Sequence, residues 1–140
     1  MHDSPADGRR RNARGYKAAI SGRVASFRYA FAGLRHVLGE PNFRIQLGLF
    51  SLALIAAALF RVTAADWLAI ILVGLAVLLM EMLNTVIESL VDLTAPDYHP
   101  LARTAKDVAA GAFLLSAIAS VIVGIYIFLP RLLALLHGLG

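Results

Sequence analysis

Four polar residues, Glu81, Asn84, Glu88 and Asp92, interrupt an apolar stretch at spacings of three and four residues. Wound as a helix at about 100° per residue they fall at about 0, −60, −20 and +20°, all on one face. With about 1.5 Å of rise per residue, Glu81 lies about 16 Å beyond Asp92 along the axis. If that helix crosses a bilayer, Glu81 lies among lipid chains, where an ionised carboxylate costs several kcal/mol and therefore faces protein, pairs with a partner or stays protonated. Ion pairs that merely hold helices together are the plain alternative. They account poorly for two glutamates and an asparagine on one face with few cations near that depth. Carboxylates suit a hard cation, and Lys and Arg nearby suit phosphate, so the set describes a magnesium-dependent phosphoryl-transfer site. The deep Glu81 suits general-base work beside a lipid hydroxyl.

The elements that must position these groups follow from hydropathy. The chain has 140 residues, 59% hydrophobic, with mean hydropathy +0.74, well above the apolar share of a soluble domain, about half. Residues 45–60, 67–80 and 108–129 contain no Asp, Glu, Lys or Arg. A span needs about 20 helical residues, so the first run must take in Asn42 to Arg44 and the second must continue through Glu81 and Glu88. The expected fold is an all-α integral membrane protein with spans at 42–60, 66–93 and 101–129. Asn42 and Asp66 are the expected helix caps, and Trp67 stands where an interfacial aromatic belongs.

Of the 13 Lys and Arg residues, nine precede the run at 45–60. The positive-inside rule then makes the N-terminus and the loop at 94–100 cytoplasmic and the segment 130–140 an extracytoplasmic tail. Residues 1–14 read as a disordered cytoplasmic tail; they are polar and basic and do not resemble a cleavable signal. Residues 15–39 read as an amphipathic interfacial helix, with Phe27, Phe31, Leu34 and Leu38 on one face and Arg28 and Arg35 on the other. There is no cysteine, hence no disulfide, thiolate metal site or cysteine nucleophile. Phosphate-loop, HExxH and GxSxG motifs are also missing.

The same topology brings Glu40 and Arg44, the loop Asp97 to His99, and Arg103, Lys106 and Asp107 to one cytoplasmic surface. A stripe of small residues, Ala105, Ala109, Ala112 and Ser116, is expected to serve close helix packing. A proton or cation transporter is the competing class for intramembrane acids, but the outer half of every span is almost purely apolar.

The run from Glu81 to Asp92 (EMLNTVIESLVD), followed by Asp97-Tyr98-His99 and Ala105-Lys106-Asp107, resembles the signature of the prokaryotic diacylglycerol kinase family, which includes diacylglycerol and undecaprenol kinases. The likeness extends from about Ser26 to Leu129 and takes in Tyr29, Gly33 to Arg35 and Glu40 to Arg44. It implies a homotrimer of three-span subunits in the bacterial inner membrane, with partners limited to ATP, lipid and bilayer and no nucleic acid. Magnesium ATP would phosphorylate a lipid alcohol at a cytoplasmic site. Carried onto this chain, Glu81 matches the general base, and Glu40 and Glu88 match the metal-binding carboxylates. Tyr29, Glu40, Glu88, Asp97, Tyr98, His99, Arg103, Lys106 and Asp107 match the nucleotide's surroundings; Asn84, Glu81 and Arg44 match those of the lipid. The runs at 41–45, 91–93 and 100–103 look more like the undecaprenol kinase branch, with diacylglycerol the alternative substrate. Two departures stand out: one residue fewer between Arg35 and Glu40, and Gln46 where relatives often carry His or Glu at the lipid cleft.

Overall fold

The computed structural model describes residues 25–95 and 97–138, which are helical apart from short connections and contain no strand. The chain divides into two compact units, Met1–Leu38 and Gly39–Gly140. The tail expected at 1–14 and residues 15–24 of the surface helix lie outside the described residues. In the first unit, helix α1 covers 25–37. Phe27, Phe31 and Leu34 are exposed on it, as a face that beds into acyl chains would be. The Arg28 guanidinium lies 5.6 Å from the centroid of the Tyr29 ring.

In the second unit, α2 (Pro41–Leu59), α3 (Ala64–Thr94) and α4 (Pro100–His137) are each long and apolar enough to cross a membrane. Proline sets two of their starts. Pro41 and Pro100 occupy the first turns of α2 and α4, where the missing N–H has no helical partner to lose. The N-cap of α2 is therefore Glu40, in an extended conformation and with no side-chain cap bond, rather than the expected Asn42. The start of α3 is displaced in the same way. Thr63 is the cap and Asp66 stands three residues inside. Thr63 Oγ1 accepts from the Asp66 N–H at 3.2 Å while Asp66 Oδ2 accepts from the Thr63 N–H at 3.1 Å. This reciprocal pair satisfies two orphan donors, which a cap at Asp66 alone would not.

α2 and α3 form the expected hairpin, turned by Arg61 at φ 49. The Val62 N–H closes the turn on the Ala57 carbonyl at 3.2 Å, the left-handed helix ending that glycine more often supplies. The core lies at this end of the hairpin. Ala57, Val62, Ile70 and Ile127 are buried there under Phe50, Phe60, Trp67 and Phe128, with the Phe60 and Phe128 rings 6.1 Å apart and tilted. Trp67 packs on this cluster. Elsewhere the bundle carries exposed Leu, Ile and Val along all three helices, as a lipid-facing surface requires.

α4 does not stop before Pro130 but continues to His137. Pro130 removes one backbone donor, and the next residue compensates. Arg131 Nη1 donates to the Ile127 carbonyl at 2.5 Å, and its Nη2 bonds Asp66 Oδ2 at 2.6 Å. Proline is tolerated in membrane helices on this condition, that neighbouring groups satisfy what it frees. At the opposite end Lys106 Nζ pairs with Asp92 Oδ1 at 2.6 Å. The two ion pairs are separated by 26 residues of α3 and 25 of α4, or about 38 Å. That distance exceeds a hydrocarbon core of about 30 Å, so both pairs reach the headgroup zones.

Close approach of α2 to α3 requires Gly74. A Cβ there would overlap the Phe50 ring. Gly74→Leu is expected to lower stability by about 1–3 kcal/mol, the usual cost of overpacking. The readout is the melting temperature of the detergent-solubilised protein; an unchanged midpoint would show that Phe50 swings aside freely.

Candidate functional site

α3 buries one continuous stripe, Ile70, Gly74, Val77, Leu78 and Glu81. Four of these are apolar or glycine; the fifth is the sole buried charged side chain among the described residues, at 3% exposure. The helix thus carries Glu81 inward on the face that packs the bundle. Beyond Glu81 the face turns polar as it nears the Asp92 end of α3. Asn84 Nδ2 donates to Glu88 Oε1 at 2.9 Å, one turn apart, a spacing at which helix side chains meet. The donation orients the carboxamide and leaves Asn84 Oδ1 buried without a hydrogen-bond partner. A buried acceptor left unpaired costs about 1–3 kcal/mol, a strain that an incoming donor or cation would relieve.

Three carboxylates, Glu81 and Glu88 on α3 and Glu40 at the start of α2, are the acids available to this region. Glu40 comes from the extended residue ahead of α2, half-buried, and Glu88 is exposed. No three acids or histidines among the described residues stand close enough to cage a metal by themselves. Magnesium usually takes only one or two carboxylates, completing its shell with phosphate oxygens and water. Glu40, Glu88 and the orphaned Asn84 oxygen are hard oxygen donors of that kind, and the donor set fits.

Two cations, Arg103 and Lys106, stand near the start of α4. Lys106, half-buried, is held by Asp92 from the neighbouring helix. Arg103 Nε lies 3.7 Å from Asp107 Oδ2 one turn along α4, both side chains well exposed, so that pair adds little stability. His99 is not free in its loop. Its Nδ1 accepts from the Leu101 N–H at 3.3 Å and caps α4, as short polar side chains do at helix starts. Asp97, Tyr98 and Arg44 are exposed. Tyr29 belongs to the first unit.

Of the residues expected from sequence, Asn84 and Glu88 are hydrogen-bonded one turn beyond the buried Glu81, and Lys106 is tied to the same helix by way of Asp92. The Asp92–Lys106 pair was not anticipated, because nothing local relates residues 14 apart on two helices. The small residues Ala105, Ala109 and Ala112 line a groove of about 570 Å³ between α3 and α4, with Asn84 on its wall. Their spacing of three and four was the available signal, and it marked a concave surface as well as it marked a contact.

The model of the family described as prokaryotic diacylglycerol kinase matches residues 28–128. A diacylglycerol kinase of Synechocystis sp. is 45% identical over 115 residues, covering 81% of this chain and 66% of the relative, so the chain spans about two thirds of that protein. The undecaprenol kinase of Bacillus subtilis is 41% identical over 93 residues, covering 66% of this chain and 76% of the relative. The diacylglycerol kinase of Escherichia coli is 34% identical over 95 residues, covering 67% and 78%. The matched stretch contains Tyr29, Glu40, the whole Glu81 to Asp92 face and Lys106, and on these grounds the chain belongs to the prokaryotic diacylglycerol kinase family, an enzyme family of lipid kinases.

Proposed function

We propose that this protein transfers the γ-phosphoryl group of ATP to the hydroxyl of a membrane lipid alcohol, undecaprenol, at the cytoplasmic face of a bacterial inner membrane. The observation that carries the reading is Glu81, buried on a membrane helix one turn from an asparagine oxygen with no partner. Such a group is costly unless the lipid chemistry uses it.

Glu81 is the general base and takes the proton of the lipid hydroxyl, while the Asn84 carboxamide, oriented by Glu88, helps hold that hydroxyl in line. Lys106 and Arg103 offset charge on the phosphates, with Asp92 keeping the Lys106 ammonium in position. His99 shapes the loop that, with Asp97, Tyr98 and Asp107, surrounds the nucleotide. Arg44 flanks the lipid. Glu40 and Glu88 would hold magnesium, which when bound supplies the charge neutralisation that phosphoryl transfer needs. The groove lined by Ala105, Ala109 and Ala112 suits a helix of a second copy, since small residues let membrane helices approach closely, and a homotrimer is the proposed assembly.

The likeness to the undecaprenol kinase of Bacillus subtilis and the runs at 41–45 and 100–103 support undecaprenol. Diacylglycerol is the second reading, favoured by the likeness to the Synechocystis protein. ATP consumption by the purified protein in lipid nanodiscs, with each lipid supplied alone, separates them. The expected result is a higher kcat/KM for undecaprenol. A higher value for diacylglycerol reverses the choice, and no lipid-dependent turnover with either would sink the kinase reading.

A further inference from the structure

Ile70, Gly74 and Val77, which continue the face of Glu81 toward the Asp66 end of α3, do more than pack. With Gln46 of α2 and Gly124 of α4 they line a partly enclosed, mainly apolar pocket of about 120 Å³ where the three spans meet. Counting back along α3 from Glu81, Val77 lies about 6 Å deeper and Ile70 about 16 Å deeper. A lipid whose hydroxyl meets Glu81 has to lead its chain away from the aqueous end, and on this face the pocket is the space it meets next. We propose that the pocket is a tail subsite that takes the stretch of the substrate's hydrocarbon chain about 10 Å from its hydroxyl, and that its shape selects among lipid alcohols. The inference rests on the lipid-kinase reading above.

The volume decides the occupant. At about 120 Å³ the pocket is a little smaller than an apolar cavity of about 150 Å³ that takes one benzene-sized molecule. That is room for a short length of straight or methyl-branched chain. A helix of another copy, about 10 Å across with its side chains, does not fit. Water gains little there, because an apolar cavity with few polar partners stays dry, whereas each buried methylene favours a chain. Gln46 stands on the pocket wall.

The test is to fill the pocket. A Cβ at Gly124 meets nothing within 4 Å, so Gly124→Leu can place its side chain in the cavity without a backbone clash. Wild type and variant, as full-length protein in nanodiscs, are assayed for phosphorylation of farnesol, long enough to reach the pocket, and of 3-methyl-2-buten-1-ol, which is too short. The expected result is a fall of about tenfold or more in the ratio of kcat/KM for the long acceptor to that for the short one, given the transfer value of a few buried methylenes. Val73→Ala, which enlarges the same pocket without touching Gly124, should raise the ratio. An identical ratio in all three proteins overturns the subsite. Wild type that phosphorylates no lipid alcohol at all overturns the kinase reading instead, and the two failures are told apart by that control.

Discussion

Glu81→Gln lowers lipid-dependent ATP turnover by about 10²- to 10⁴-fold, the range a positioned general base contributes. Glutamine keeps the shape and most of the polarity of glutamate but cannot take a proton from an alcohol. Because Glu81 is buried on the packed face of α3, a larger change would confound chemistry with folding. Replacing a buried carboxyl by an isosteric amide should leave the melting temperature in detergent equal to wild type or raise it, since a charge is costly to bury. The measurement is kcat for undecaprenol or diacylglycerol at saturating magnesium ATP, beside the thermal midpoint. Turnover within a few-fold of wild type would remove Glu81 from the chemistry. A collapsed midpoint would make its role structural.

Glu88→Ala is expected to raise the magnesium concentration needed for half-maximal activity by at least about 10- to 100-fold, the loss seen even for groups that only support a metal's ligands. It also releases the Asn84 carboxamide, which Glu88 orients through the 2.9 Å bond. Asn84→Leu breaks that same bond while sparing the carboxylate, and so separates the two effects. If Glu88 acts through the cation, Glu88→Ala moves the magnesium requirement and Asn84→Leu moves mainly the KM for lipid. Equal and small changes in both titrations would mean that Glu88 serves only to hold the asparagine.

Helix content, the number of spans and the polar face on the second span all follow from short-range properties of the chain. A three-to-four-residue spacing places Glu81, Asn84, Glu88 and Asp92 on one face of any α-helix, and proline at 41 and 100 marks helix starts wherever the helices later pack. Cap positions were less legible. Thr63 and Asp66 are both good capping residues, and only the closed backbone turn, with both bonds made, selects Thr63 as the cap. The end of α4 was misjudged for a related reason. Pro130 reads as a helix stop until Arg131 is seen to donate to the Ile127 carbonyl and to Asp66, and Asp66 stands 65 residues away.

By itself, then, the sequence determined that this is a three-span helical protein with a line of carboxylates on its second span, because hydropathy and helical periodicity are written locally. The tertiary structure alone decided which partners those groups meet. The antiparallel register of α3 on α4 joins Asp92 to Lys106 and Asp66 to Arg131, and packing of three helices at once buries Glu81 and opens the pocket beneath it. It also leaves the oxygen of Asn84 unpaired. Register and cavity shape arise from side chains on different helices fitting together, and no window of one helix contains that information.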